Sequence, residues 1–314
     1  MEMTGGSLLD TSKTYVYTNL DRLVALKYDI RGFSYLPKQP VQSQLTGKHR
    51  SRLRGRGLDF EEVRIYAFGD DIRSIDWKVT ARTKKPHTRV YTEERERPVF
   101  LVVDQSTSMF FGSQVYMKSV IAAEAAAISA WKVLAVGDRI GGIVFDDKNW
   151  DEVKPRRNSK AVLHFLNLIA EKNNQLKSSG SIKQNNEILN QILEQTLRYV
   201  THNYLVVIFS DFYGADNQTI KLLKQISRHN DVIAGIITDE MELNLGSDMI
   251  IGDGSEQINL SELTSDKKES FSQTQQEKLE NFRDTLISYR ITPLQFNTHE
   301  PILNQIRKML GGRR

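Results

Sequence analysis

The chain has 314 residues, 39% of them apolar and 26% charged, an ordinary globular composition with length enough for a large core and one or two domains. It carries a net charge of +4 and no cysteine, which excludes disulfides, thiolate metal sites and cysteine nucleophiles and suits a reducing compartment. The N-terminus lacks the charged-then-apolar pattern of a leader, and no run reaches the roughly 18 apolar residues of a membrane span. The expectation is a cytoplasmic protein, with peripheral attachment to a membrane as the alternative.

Residues 1–97 read as an N-terminal α+β extension. Residues 19–30 suit a short helix with Leu20, Leu23, Val24 and Lys27 on one side, and residues 33–40 an extended stretch. Lys48, Arg50, Arg52, Arg54 and Arg56 then alternate with other residues. Such a stretch is a patch for an anionic partner or a solvated edge whose charges discourage pairing, and the solvated edge is favoured. No aromatic interleaving supports base stacking, so nucleic acid is not an expected partner. Residues 62–67 suit a strand. Asp70 or Asp71 is placed to cap a helix over residues 72–82, with Ile72, Ile75 and Val79 at helical spacing. The charges Asp70, Asp71, Arg73, Asp76, Lys78 and Arg82 read as an ion-pair and capping network rather than a catalytic cluster. Residues 87–97 alternate as a strand.

From Pro98 the chain alternates strand and helix, which predicts an α/β domain over residues 98–314: a mostly parallel, Rossmann-like sheet with helices on both faces. Strands are predicted at 99–104, 138–146, 204–211, 232–238 and 291–296, with an edge hairpin at 149–153. Helices are predicted at 113–136, 158–172, 186–200, 216–229, 263–289 and 301–310. Residues 243–252 and 256–260 suit short edge elements. Asp146, Asp147 and Asp239 lie at strand ends and read as turn and capping residues.

The chemistry concentrates in Val99-Phe100-Leu101-Val102-Val103-Asp104-Gln105-Ser106-Thr107-Ser108. An unbroken apolar run reads as a strand buried on both faces. Asp104, Ser106 and Ser108 then sit at its carboxyl end, where open parallel sheets bind ligands. Mg2+ takes oxygen ligands and keeps several waters, so a carboxylate and two hydroxyls one residue apart suit it. The bland alternative makes Asp104 a helix cap and the serines loop fasteners. A second apolar strand ends in Ser210-Asp211, and Asp104 and Asp211 share a crevice if these strands flank the switch point.

The sequence resembles the von Willebrand factor A-like proteins of the family known as domain of unknown function 58. The resemblance rests on Gly55-Arg56-Gly57-Leu58-Asp59-Phe60, Arg64-Ile65-Tyr66, Gly69-Asp70-Asp71-Ile72-Arg73-Ser74-Ile75-Asp76-Trp77, Ala81-Arg82, Asp104-Gln105-Ser106-Thr107-Ser108 and Ser210-Asp211-Phe212. It implies a metal ion-dependent adhesion site. Asp104, Ser106 and Ser108 would hold Mg2+, with Mn2+ or Ca2+ as alternatives, and Asp211 would hold it through water. A threonine after glycine usually adds a further ligand. This chain departs there: Ser181 is the candidate, with Asn185 or Asn186 the alternative by spacing. A partner protein would bring a carboxylate to the ion, contacting Thr107 and Phe212 beside the motif. The resemblance further implies a non-enzymatic adaptor or co-chaperone acting with a MoxR-type AAA+ ATPase. The competing readings are a metal-dependent phosphoesterase, or a peripheral binder of anionic membrane or nucleic acid through the Lys48–Arg56 patch. No P-loop or G-x-G-x-x-G is present, so the chain is not expected to bind nucleotide.

Overall fold

The computed structural model describes residues 15–29, 58–93, 97–177, 186–243, 250–252, 257–259 and 265–309. Its first elements are α1 (Leu20–Asp29), β1 (Leu58–Ile65), α2 (Trp77–Thr83), β2 (His87–Glu93), β3 (Val99–Asp104), α3 (Lys118–Val136), β4 (Ile140–Phe145) and β5 (Trp150–Arg156). Then come α4 (Ser159–Gln175), α5 (Asn186–Tyr199), β6 (Leu205–Ser210), α6 (Asn217–Ser227), β7 (Asp231–Thr238) and α7 (Glu240–Leu243). The last are β8 (Ile250–Gly252), β9 (Gln257–Asn259), α8 (Ser265–Ser288), β10 (Thr292–Asn297) and α9 (Ile302–Met309).

The main sheet runs β10-β7-β6-β3-β4-β5. Every neighbouring pair is parallel except β4 with β5. The chain starts at β3, moves outward to β5, then crosses back to β6 on the other side of β3. That reversal is the switch point of a doubly wound sheet, and the expected mostly parallel α/β sheet with helices on both faces is the one observed.

β3, β4 and β6 are buried along their whole length, which is why they read as unbroken apolar runs. Their side chains still alternate between two cores. Val99, Leu101 and Val103 pack with residues of α3, α4 and α9 such as Ile121, Phe165 and Ile302. Phe100 and Val102 pack with Ile192, Leu223 and Leu286 of α5, α6 and α8. At Gly142 a Cβ would stand 2.2 Å from the Leu101 carbonyl and 2.9 Å from the Phe165 ring, so only glycine allows this approach. α3 has the length and composition of a membrane span, yet it is the central core helix, with Ala122, Ala123, Ala126 and Ala127 wholly enclosed.

Two boundaries differ from the sequence reading. The chain divides into Met1–Pro37 with Arg97–Arg314, and Lys38–Glu96. In this division α1 groups with the larger unit. Leu23 is fully buried there, Trp131 Nε1 donates to the Leu23 carbonyl at 3.0 Å, and Arg22 pairs with the buried Glu124. Secondly, α3 begins at Lys118 rather than Ser113. The intervening backbone is engaged elsewhere: Ser113 N–H donates to Asp239 Oδ2 at 2.8 Å, Tyr116 N–H to the Thr298 carbonyl at 3.0 Å, and Met117 N–H to the Tyr15 carbonyl at 3.1 Å.

In the smaller unit β1 and β2 form an antiparallel pair. The helix expected over residues 72–82 is interrupted. Asp71 caps one 3-10 turn, Ile72–Ser74, and Asp76 then caps α2 by accepting from Lys78 and Val79 N–H at 3.0 and 3.1 Å. Arg64 pairs with Asp70 at 2.8 Å and Arg89 with Asp76 at 2.9 Å, the ion-pair and capping network expected here. The extended reading of residues 33–40 lies outside the described residues.

Candidate functional site

Strand register assembles the site. Val103 pairs with Phe209 across β3 and β6, so the next step sets Asp104 beside Ser210. Ser210 Oγ donates to Asp104 Oδ2 at 2.6 Å and accepts from Phe212 N–H at 3.0 Å. The other carboxylate oxygen, Asp104 Oδ1, accepts from Ser106 N–H at 2.8 Å. A single 3-10 turn, Thr107–Met109, follows. It brings Ser106 Oγ and Ser108 Oγ to 3.2 Å from each other. Gln105 anchors the loop from below: buried, it donates to the Ser119 carbonyl at 3.0 Å and accepts from Asn173 Nδ2 at 2.9 Å.

Asp211 stands one residue past β6. Its Oδ1 accepts from Tyr213 N–H at 2.9 Å, and its Oδ2 from Lys118 Nζ at 2.9 Å. Lys118 also donates to Glu242 Oε1 at 2.6 Å. The Lys118 side chain is 2% exposed. Glu242 is carried by α7, which follows Asp239 at the end of β7. Asp239 accepts from Met241 N–H at 2.9 Å and from the Thr298 hydroxyl, which fixes α7 beside the crevice.

Burial, and then the charge of Asp211, push the Asp104 carboxyl up to about 7. Burial alone would lower Lys118, but Asp211 and Glu242 outweigh it and hold the ammonium above its ordinary value. Burial raises Glu242 against the opposing pull of Lys118. The crevice gathers three carboxyl groups, Asp104, Asp211 and Glu242, around the single ammonium of Lys118.

Four expected residues, Asp104, Ser106, Ser108 and Asp211, come together. Ser181 and Asn185 lie outside the described residues, as does the Lys48, Arg50, Arg52, Arg54 and Arg56 stretch. Asn186 opens α5. The expectation that Phe212 meets a partner is corrected. Its φ of +52° places it in the left-handed region, which a bulky residue seldom adopts, and the ring is 5% exposed and packed on Phe282. Thr107 is half-buried, and both its N–H and hydroxyl donate to Asp147 Oδ2. Asp147 is thus more than a turn residue. Asp146 and Asp239 do hold their turns, Asp146 by accepting from Lys148 and Asn149 N–H at 2.8 and 2.9 Å. Ser210, Lys118 and Glu242 were not predicted. Ser210 had a signal, its place immediately before Asp211. Lys118 and Glu242 had none.

The donor set fits a divalent cation on the Asp104 side. In a Mg2+ octahedron neighbouring ligands lie about 2.9 Å apart, close to the 3.2 Å between the two hydroxyls. On the other side Asp211 is committed to Lys118.

The structure is a doubly wound α/β unit that presents this aspartate and hydroxyl loop at its switch point. The chain belongs to the family described as protein of unknown function DUF58, which matches residues 62–281. An uncharacterized protein of Mycobacterium tuberculosis is 29% identical over 216 residues, 69% of this chain and 66% of the relative. The match thus spans just under two thirds of that relative's length. Among solved structures, BatB from Bacteroides thetaiotaomicron is 12% identical, covering 68% of this chain and 98% of its own with a TM-score of 0.39. The SpRpn10 VWA domain is 13% identical, covering 68% and 95% with a TM-score of 0.35.

Proposed function

We propose that the chain is a non-catalytic protein-binding adaptor whose crevice between β3 and β6 holds a divalent cation, Mg2+ first. Asp104, Ser106 and Ser108 would hold the ion, which when bound supplies an open position for a carboxylate from a partner protein. The observation that carries this reading is the convergence of Ser106 Oγ and Ser108 Oγ, 3.2 Å apart, beside a buried carboxyl at the sheet's switch point. A hydrolase would need a base or nucleophile aimed into the same crevice. Instead Asp211 is held by Lys118, and His202 and His229 precede β6 and β7, at the amino ends of the strands and away from the crevice at their carboxyl ends. The family resemblance points to a MoxR-type AAA+ ATPase as the protein it serves.

The test is calorimetric titration with Mg2+ and Mn2+ of the wild type and Asp104→Ala. Saturable binding is expected in the wild type and at least a tenfold loss in the variant. Equal binding by both proteins would place the ion elsewhere and end this reading.

A further inference from the structure

Lys118 is in an unfavourable place for a cation. It is the first residue of α3, where the helix dipole repels positive charge, and Met117 makes no side-chain cap. It is also buried, and a buried ammonium is costly unless it is closely paired. Two carboxylates compensate it from different strands' ends: Asp211 at 2.9 Å and Glu242 at 2.6 Å. Asp211 is the acidic residue that the crevice would otherwise offer to a metal ion, and both of its oxygens are taken. The two hydroxyls on the Asp104 side bond only weakly to each other, at 3.2 Å. The Asp211 half of the crevice thus already holds a cation attached to the chain, whereas Asp104 accepts only from uncharged donors, the Ser106 N–H and the Ser210 hydroxyl.

We propose that Lys118 is a tethered counter-cation that competes with the divalent ion for Asp211, and so sets the ion affinity of the crevice. The inference rests on the cation reading of the site. It adds that this protein's affinity is restrained by its own lysine, and that Glu242 holds the ammonium in position. Two positive centres near one carboxylate repel each other, and the interior screens that repulsion less than water does. An entering ion must therefore share Asp211 with Lys118 or displace it toward Glu242. Removing the ammonium frees Asp211 and leaves a more negative crevice.

The experiment is Mg2+ calorimetry on the full chain in four forms: wild type, Lys118→Met, Asp211→Asn and the double variant. Methionine keeps the length of the side chain without its charge. Lys118→Met is expected to bind Mg2+ at least tenfold more tightly than wild type. In the Asp211→Asn background the same substitution is expected to change affinity less than threefold, because the contested carboxylate is gone; a general charge effect would persist there. Equal or weaker binding by Lys118→Met overturns the proposal, as does a gain of the same size in both backgrounds. Should Lys118→Met fold only when Mg2+ is present, the ion has taken the lysine's place and the proposal stands. Failure to fold at any Mg2+ concentration overturns it. A wild type that binds no ion beside a Lys118→Met that does would support this inference while refuting the native chain's use of magnesium.

Discussion

Two influences act on Asp104 in the same direction: its strand buries it, and Asp211 faces it with a negative charge. The carboxyl is pushed up to about 7, against about 3.9 in an unfolded chain. Between those values the folded protein holds the proton that the unfolded chain has released. Stability from this group is therefore lost as pH rises from about 4 through about 7. Asp104→Asn removes that dependence. We expect the urea midpoint of the metal-free wild type to fall between pH 5 and pH 8 relative to the variant, by about 1–3 kcal/mol of stability. Parallel pH profiles would show that Asp104 is not the group responsible. Asp104, Ser106 and Ser108 were legible in the sequence because they lie within five residues at a strand end. Lys118 was not, because its partners Asp211 and Glu242 are 93 and 124 residues away in the chain. Nothing local marks a lysine at the start of an Ala-rich helix as buried.

At the scale of elements, periodicity revealed that helices exist but not what they pack against. The apolar side of α1 was evident in Leu20, Leu23 and Val24, but not the element it packs against. Its partners are on α3, where Trp131 and Glu124 meet Leu23 and Arg22. The start of α3 and the break before α2 share one cause. In both places backbone N–H groups or a cap bond to distant or intervening residues, and helical spacing alone does not record such bonds. The docking of α1 has a direct consequence. Leu23 is 0% exposed, and Leu23→Ala leaves a cavity against the core helix, which costs about 2–5 kcal/mol. The expected result is a lower urea midpoint for the larger unit with an unchanged slope. A midpoint within experimental error of wild type would mean that α1 contributes nothing to this core.

At the scale of the whole molecule, alternating strands and helices disclosed a doubly wound sheet, and the resemblance supplied its kind. The strand order was not readable from alternation, because any of several orders satisfies it. The crossover from β5 to β6 opens the crevice between β3 and β6 and brings Asp104 within reach of Ser210 and Asp211. An ion held there by Asp104, Ser106 and Ser108 would bind the folded state alone. Linkage then makes the ion a stabiliser of the larger unit. At a free Mg2+ concentration one hundredfold above Kd the gain is about 2.7 kcal/mol, a rise in Tm of roughly 5–10 °C for a unit of this size. Calorimetric scans with Mg2+ and with EDTA read this shift directly. Asp104→Ala is expected to melt at one temperature in both, and any separate transition of the Lys38–Glu96 unit to be indifferent to the ion. A wild-type Tm unmoved by millimolar Mg2+ would mean that the crevice carries no divalent ion of useful affinity.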